Sequence, residues 1–232
     1  AGRSDRPDIG HSVMGNLDKR LNLYRPDVAV VALRGRVEAG RFVEGRPFQV
    51  GVQVASVRRQ PNATSMQLSE ALPGETLNVF DEAGGWCWVK LDRDGYVGHV
   101  ETRFLVPMGA APTHEVSSPS TVLYARADLK TQPTRFLPML SRLAVTGEEK
   151  DYAQTAEGFV FTKHLRPVEA GSGDFVSIAT RFLFTPYYWG GKTAHGLDCS
   201  GLVQVSLHAA GQACPRDSDM QEQTLGQDFK PA

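Results

Sequence analysis

The stretch TPYYWGGKTAHGLDCSGLVQ, residues 185–204, decides how the last part of this chain folds. An aromatic, glycine-rich loop leads into Asp198 and Cys199. The residues that follow are apolar around most of a helical circumference, which is typical of a buried helix, and Gly211 is placed to end it. Asp198 is a natural N-cap. The sequence therefore predicts a buried helix over residues 200–210, with Cys199 at its first turn.

Cys199 has a position that suits a nucleophile. A helix N-terminus carries partial positive charge and unpaired N–H groups, so it favours thiolate over thiol. The same N–H groups can face the oxyanion that forms at an attacked carbonyl. Free cysteines are, however, most often buried packing residues. The position alone leaves both interpretations open.

The residues around Cys199 resemble the NlpC/P60 family of cysteine peptidases. Residue types, order and spacing agree over residues 185–191, 196–204 and 214–218, and at Gln221. The resemblance implies a papain-like α+β domain, of which residues 174–232 would be the N-terminal half. Within it, Asp174 can cap a helix whose apolar residues recur at i, i+3, i+4 and i+7.

The sequence upstream is typical of short strands. Apolar residues alternate with polar residues and glycine over residues 48–54, which predicts a half-buried strand, and turn residues separate further strand candidates. Trp86-Cys87-Trp88-Val89 and Asp94-Gly95-Tyr96-Val97-Gly98 resemble a bacterial SH3 (SH3b) domain over residues 47–107. Where that family often has a second tryptophan, this chain has His99.

Two further parts complete the predicted architecture. A weaker repeat of the Leu-x-Val, Gly-aromatic-Val and Leu-x-Pro patterns predicts a second SH3-like barrel over residues 113–167. Residues 1–46 predict a lead-in segment with one short helix, in which Pro26 is at the first turn. We therefore predict an α+β chain in which two small SH3-like β-barrels precede a C-terminally incomplete papain-like domain.

Composition narrows the function classes. The 25 basic and 26 acidic residues give a net charge of −1, so nothing indicates the basic face that nucleic acid requires. No stretch approaches the ~20 apolar residues of a membrane span. The first residues lack the apolar core of a signal peptide, which favours the cytoplasm and leaves the cell envelope open. The three cysteines do not indicate a disulfide framework. No metal-ligand or phosphate-loop spacing occurs, so we expect neither metal nor cofactor.

With SH3-like units in front, the chain resembles the γ-D-glutamyl-diamino-acid endopeptidases of the family. The resemblance implies hydrolysis of the bond between D-Glu and diaminopimelate in peptidoglycan stem peptides that carry a free N-terminal L-Ala. Cys199 would be the nucleophile. Its own backbone N–H and the Tyr187 hydroxyl would stabilise the oxyanion.

The resemblance also implies a pocket for the N-terminal amine of the stem peptide. A carboxylate suits such a pocket, because a buried ammonium needs an anionic partner. Tyr96 would add an aromatic wall from the first SH3-like unit, although a barrel-core tyrosine is an equal alternative. Glu70, on a predicted loop, is a further candidate for the amine partner. The pocket residues implied in the catalytic domain are Asp198, Ser200, Asp217 and Ser218.

A thiol nucleophile needs a base, normally histidine. His208 is nine residues after Cys199, half a turn out of phase and about 13 Å along the helix, so it is out of reach. His195 could reach, but the family has a loop residue there. We expect the catalytic histidine to follow Ala232, and this chain to be inactive alone. The incomplete domain would then leave part of the Cys199 helix uncovered, including Leu202, Val205 and Ala209.

Three hypotheses follow from the sequence. The chain is a cysteine endopeptidase for cell-wall peptides, a wall-binding SH3b protein with a degenerate catalytic domain, or a papain-like amidase or acyltransferase. The intact Asp198-Cys199-Ser200 string favours the enzyme over the binding protein. Asp217 and Ser218 favour the endopeptidase over the third alternative. The oligomeric state is not predicted.

Overall fold

The computed structural model describes residues 17–51, 53–168, 170–171 and 173–226. The described chain is mostly β-structure, with three short α-helices near its end. It consists of a lead-in segment, a first β unit, a second β unit and a helical part that contains Cys199. No helix among these residues is both long and apolar enough to cross a membrane.

The lead-in segment forms two short parallel strands, β1 (Val28–Val30) and β2 (Arg41–Val43). The helix predicted from Pro26 is therefore wrong, because only a 3-10 turn over Val31–Leu33 follows β1. β-branched valines fit an extended backbone better than a helix. Val28 is fully buried with Trp88 of the first β unit, so tertiary packing also selects the strand.

The first β unit is a seven-stranded antiparallel sheet that surrounds its own apolar core. Its strands are β3 (Arg46–Val50), β4 (Ala55–Arg58), β5 (Gln67–Ala71), β6 (Thr76–Ala83), β7 (Trp86–Leu91), β8 (Val97–Glu101) and β9 (Leu105–Pro107). The strand order is β5-β4-β8-β7-β6-β3-β9. The strand predicted over residues 48–54 ends at Val50, and Val52 lies outside the described residues.

The second β unit contains two smaller sheets. Its strands are β10 (His114–Val116), β11 (Ser120–Tyr124), β12 (Pro133–Pro138), β13 (Arg142–Leu143), β14 (Val145–Glu149), β15 (Tyr152–Thr155), β16 (Gly158–Phe161) and β17 (Leu165–Pro167). They form a three-stranded sheet, β13-β10-β17, and a five-stranded sheet, β12-β11-β16-β15-β14. The all-β content agrees with the sequence, whereas the SH3 identity of this unit stays a prediction.

The helical part holds the predicted Cys199 helix. Its elements are α1 (Phe175–Thr180), a hairpin of β18 (Lys192–Thr193) and β19 (Gly196–Leu197), α2 (Cys199–Ala209) and α3 (Ser218–Thr224). The Asp174 side chain caps α1 by accepting a hydrogen bond from the Ser177 N–H. Gly211 follows α2 with a φ of 81°, so it ends the helix in the left-handed conformation as predicted.

One apolar core joins α1 and α2 to both β units. Leu72 of the first unit and Leu140 of the second pack with residues of the two helices. Val205 and Ala209 of α2 are buried in this core, so the expectation that they are uncovered is wrong. Leu202 is only partly buried. The two β units thus cover the face of α2 that the sequence analysis left open.

Candidate active site

Cys199 is the first residue of α2, and its thiol-bearing side chain is exposed. The Asp198 carboxylate fixes the helix start by accepting hydrogen bonds from the Gly201 N–H at 2.6 Å and the Gly190 N–H at 2.8 Å. A Cβ on Gly201 would clash with the Gly191 carbonyl oxygen, so glycine lets the loop pack on the first helical turn. Loop and helix together hold Cys199 at a capped helix N-terminus, which is the predicted arrangement.

Asp198 is also the partner of a buried arginine that the sequence analysis left without a role. The Arg216 guanidinium is 1% exposed and donates to both Asp198 carboxylate oxygens, at 3.1 and 2.7 Å. It donates in addition to Ser200 Oγ at 2.7 Å and to Ser69 Oγ of β5 at 3.0 Å. Burial opposes ionisation of Asp198, but Arg216 outweighs it, so the pKa of Asp198 lies below its ordinary value.

The pairing with Arg216 affects whether Asp198 and Ser200 are free to bind a substrate. Asp198 and Ser200 line the cavity that contains Cys199, as expected for a substrate pocket. Their polar groups are nevertheless occupied by Arg216, so the Asp198 charge is already matched within the protein. Asp217 is not bonded to Arg216 but forms an ion pair of 3.0 Å with Arg20, and its role in binding an amine stays a prediction.

The cavity at Cys199 has a volume of about 830 Å³. Three parts of the chain line it: the lead-in segment, the first β unit, and the loop and helices of the Cys199 region. Residues of the Cys199 region in its lining are Tyr187, Trp189, Asp198, Cys199, Ser200, Asp217, Ser218 and Asp219. Residues of the first β unit include Arg59, Met66, Leu68, Trp88, Tyr96 and His99.

Tyr187 and Tyr96 occupy different environments in this cavity. Tyr187 is largely exposed and lines the cavity together with Cys199. Partial desolvation and the negative charges of Cys199 and Asp198 raise the pKa of Tyr187. Tyr96 is only 2% exposed, belongs to the core of the first β unit and also lines the cavity. Tyr96 is thus a core residue of the first β unit that also reaches the cavity, and its role in an amine pocket stays a prediction.

The Tyr96 hydroxyl donates a hydrogen bond of 2.9 Å to Asp217 Oδ2. Burial and the negative charge of Asp217 raise the pKa of Tyr96, which keeps the phenol protonated as a donor. Asp217 precedes α3, yet its side chain makes no capping hydrogen bond to that helix. The carboxylate is turned toward the first β unit instead.

Glu70 does not lie on a loop, as the sequence analysis supposed, but within β5. It is buried, it is not among the residues that line the cavity, and its carboxylate accepts a hydrogen bond of 2.7 Å from the Lys192 backbone N–H. Burial raises the pKa of Glu70. In this position Glu70 supports the β18–β19 hairpin, so the structure does not bring it to the predicted amine pocket.

No histidine in the described part of the chain is hydrogen-bonded to Cys199. His208 bonds to the Cys214 carbonyl oxygen, and burial together with nearby cations lowers its pKa to about 3. The ring of His195 packs edge-on against Phe136 of the second β unit. Neither ring is hydrogen-bonded to the Cys199 thiol among the described residues, which for His208 agrees with the expectation from helix geometry.

His99 lines the cavity, a position that the sequence analysis missed. Its Nδ1 lies 3.2 Å from the Arg59 carbonyl oxygen, and burial lowers its pKa. The period of two along β8 could have found it, because Val97 and His99 share one face of that strand and both line the cavity.

The lead-in segment is the other missed contributor. Lys19, Arg20, Asn22, Tyr24, Arg25, Pro26 and Asp27 line the cavity, although the sequence analysis gave residues 1–46 no part in the site. Its contacts with α3 join residues 197 positions apart, so no local sequence pattern signals them. Within the described residues, no group of three or more histidines, cysteines or carboxylates is arranged to hold a metal ion.

Two family models match the chain. The bacterial dipeptidyl-peptidase Sh3 domain matches residues 57–105, within the first β unit. The NlpC/P60 family matches residues 184–231, which include the Cys199 loop, α2 and α3. Both matches agree with the resemblance drawn from the sequence.

Two curated proteins are similar to the chain. A γ-D-glutamyl-L-lysine dipeptidyl-peptidase of Bacillus cereus (strain ATCC 10987 / NRS 248) is 26% identical over 184 residues, which cover 69% of this chain and 55% of that protein. The protein of the same name from Bacillus subtilis (strain 168) is 31% identical over 167 residues, covering 65% and 55% respectively. The chain thus spans about half the length of the curated relatives it matches.

Solved structures show a similar fold. An NlpC/P60 family protein from Bacillus cereus ATCC 10987 aligns with a TM-score of 0.67 and 18% identity, over 77% of each chain. An NlpC/P60 endopeptidase from Photobacterium damselae subsp. piscicida aligns with a TM-score of 0.57 and 18% identity, over 77% of this chain and 46% of that one. At this identity the likeness concerns the fold alone.

Proposed function

We propose that this chain, which combines a bacterial SH3 domain with NlpC/P60 sequence, acts as a cysteine endopeptidase on peptidoglycan stem peptides. The bond cleaved joins the γ-carboxyl of D-Glu to the α-amine of the following diamino acid. The placement of Cys199 carries the proposal: the residue is exposed at the capped start of α2 and lines a cavity that the first β unit also lines. A wall-binding protein has no use for a cysteine in that position.

In the proposed reaction, the Cys199 thiolate attacks the γ-carbonyl carbon of D-Glu. The resulting oxyanion is held by the Cys199 N–H and the hydroxyl of Tyr187, which lines the same cavity as Cys199. Collapse breaks the C–N bond, and the amine of the diamino acid leaves with a proton. Water then hydrolyses the thioester and regenerates the thiol. We assign the proton transfers to a histidine outside the described residues, as the family resemblance implies.

Asp217 is the proposed partner of the N-terminal amine of the peptide. Its Oδ2 already accepts the Tyr96 hydroxyl, whereas no hydrogen bond to its Oδ1 occurs among the described residues. A second oxygen is thus open to an ammonium. A peptide end bound there faces the buried wall formed by Tyr96, which supports a preference for free stem peptides over intact peptidoglycan. Such a preference fits the recycling of wall fragments inside the cell.

Two diamino acids are candidates for the residue that follows D-Glu. The curated relatives are named for a γ-D-glutamyl-L-lysine bond, while the sequence resemblance implies diaminopimelate. Both residues present the same α-amine to the scissile bond, so the geometry at Cys199 serves either.

The test compares three tripeptides with the full-length protein: L-Ala-γ-D-Glu-L-Lys, L-Ala-γ-D-Glu-diaminopimelate and the α-linked isomer of the first. We expect release of the dipeptide L-Ala-D-Glu from at least one γ-linked peptide and none from the α-linked isomer, with the activity lost in Cys199→Ala. Cleavage of the α-linked isomer at a similar rate would point to a general peptidase. Turnover by Cys199→Ala would exclude Cys199 as the nucleophile.

A further inference from the structure

Arg20 of the lead-in segment links three carboxylates at one corner of the cavity. Its guanidinium donates to Asp217 Oδ2 at 3.0 Å, to both oxygens of Asp219 at 2.8 Å, and to Asp18 Oδ2 at 2.7 Å. Arg20, Asp217 and Asp219 all line the cavity. One arginine therefore ties the lead-in to the beginning of α3.

The charges at this corner do not cancel. One guanidinium faces three carboxylates, +1 against −3, which leaves a formal charge of −2. The hydrogen bonds of Asp217 with Arg20 and Tyr96 both go to Oδ2, and none among residues 17–226 that the structure describes goes to Oδ1. A cationic group of a substrate would meet net negative charge here, despite the arginine beside it.

The backbone of the lead-in holds Arg20 in place. The Arg20 carbonyl oxygen accepts a hydrogen bond of 2.8 Å from the Val97 N–H at the start of β8, and the Lys90 ammonium donates to the Leu21 carbonyl at 2.9 Å. Arg20 is thus mounted on the first β unit, next to Tyr96. From there its side chain and the Tyr96 hydroxyl grip the same oxygen of Asp217.

Asp217 does not cap α3, although it directly precedes that helix. An aspartate that precedes a helix usually accepts a hydrogen bond from the first-turn N–H groups, as Asp174 and Asp198 do here. Asp217 makes no such bond to α3. The first β unit and the lead-in therefore determine where its carboxylate points.

We propose that Arg20 is a positioning residue for amine recognition, which fixes Asp217 so that its Oδ1 receives the N-terminal ammonium of the peptide. The lead-in, which neither family match covers, is then part of the specificity pocket. This inference rests on the proposed function. In the competing role, the Arg20 guanidinium occupies the site of the ammonium. Removal of the arginine would then strengthen the preference for the free amine instead of weakening it.

The test is the ratio of kcat/KM for L-Ala-γ-D-Glu-diamino acid to that for its N-acetylated form, measured on the full-length protein. We expect the parent to prefer the free amine, and Arg20→Gln to lower the ratio about tenfold, mainly through the KM of the free peptide. Arg20→Lys should give a ratio between those of Arg20→Gln and the parent, because lysine keeps the positive charge but lacks the planar guanidinium that donates to several carboxylates at once. Asp219→Asn weakens the ion pair between Arg20 and Asp219 of α3, so this variant should also lower the ratio.

Arg46→Gln is the matched control, since Arg46 pairs with Glu82 outside this cavity and its loss should leave the ratio unchanged. A purely structural role for Arg20 would reduce turnover of both peptides equally and overturn the inference. A ratio that rises in Arg20→Gln would also overturn it, in favour of a competing guanidinium. A parent that cleaves both peptides equally would refute the amine site itself, which is a failure of the proposed function.

Discussion

Cys199, Cys87 and Cys214 have different surroundings although all three are free thiols. Cys199 is exposed, whereas Cys87 and Cys214 are buried. Burial raises the pKa of Cys87, and it raises that of Cys214 to about 11. At neutral pH the two buried residues are thus almost entirely thiols, and the thiolate is the reactive form.

We therefore expect Cys199 to be alkylated first by iodoacetamide near neutral pH. Brief treatment followed by peptide mass spectrometry ranks the three sites, and the same treatment in denaturant should remove the differences. Equal labelling of the three cysteines in the native protein would contradict the view that the fold presents Cys199 as a nucleophile.

Some residue roles depend on neighbours in the sequence, and others depend on contacts between residues that are distant in the sequence. The positions of Cys199 and Asp198 at a helix start follow from neighbouring residues, so the sequence predicted them. The pairing of Arg216 with Asp198 depends on a fold that brings residues 18 positions apart together in a buried site. Arg216 lies in a stretch that resembles the NlpC/P60 family, but no local pattern indicates its partner.

At the scale of elements, helix α2 was predicted to within one residue at each end. Its apolar circumference, its N-cap and its terminal glycine are all local features. The prediction of a helix in the lead-in segment was wrong because residues 26–33 suit either a helix or a strand. Packing of Val28 beside Trp88 favours the strand. Elements whose conformation depends on a distant partner are the ones that local patterns miss.

The start of α2 depends on Arg216, so Arg216→Gln should destabilise the protein by about 3–5 kcal/mol at neutral pH. The substitution leaves Asp198 as an uncompensated charge in a buried position. Urea unfolding followed by tryptophan fluorescence measures the loss. The control is Arg46→Gln, which breaks an exposed pair with Glu82 and should cost less than about 1 kcal/mol.

The same pair predicts the pH dependence of this loss. Because the pKa of Asp198 is lowered in the folded state, the pair contributes stability above the ordinary carboxyl pKa and loses it as the pH falls through the lowered value. The gap between parent and Arg216→Gln should therefore narrow in acid. A loss at neutral pH no larger than that of Arg46→Gln would contradict a structural role for the pair.

At the scale of the whole molecule, the site is assembled from parts that are distant in sequence. The first β unit and the strand-rich character of the second were predictable from alternation and turn residues. The burial of Val205 and Ala209 by both β units was not predictable from local sequence. The contribution of the lead-in segment to the cavity wall was not predictable either. The Arg20–Asp217 contact spans 197 positions, and charged residues that pair at such range resemble ordinary surface residues in a sequence.

If Cys199 accepts the γ-glutamyl group, a thioester forms on its sulfur and can be trapped. The full-length protein is mixed with the γ-linked stem peptide, quenched rapidly in acid and analysed by intact and peptide mass spectrometry. We predict a transient adduct with the mass of the L-Ala-γ-D-Glu acyl group, located at Cys199 and absent from Cys199→Ala. Turnover that persists in Cys199→Ala, or an adduct at another residue, would contradict the account.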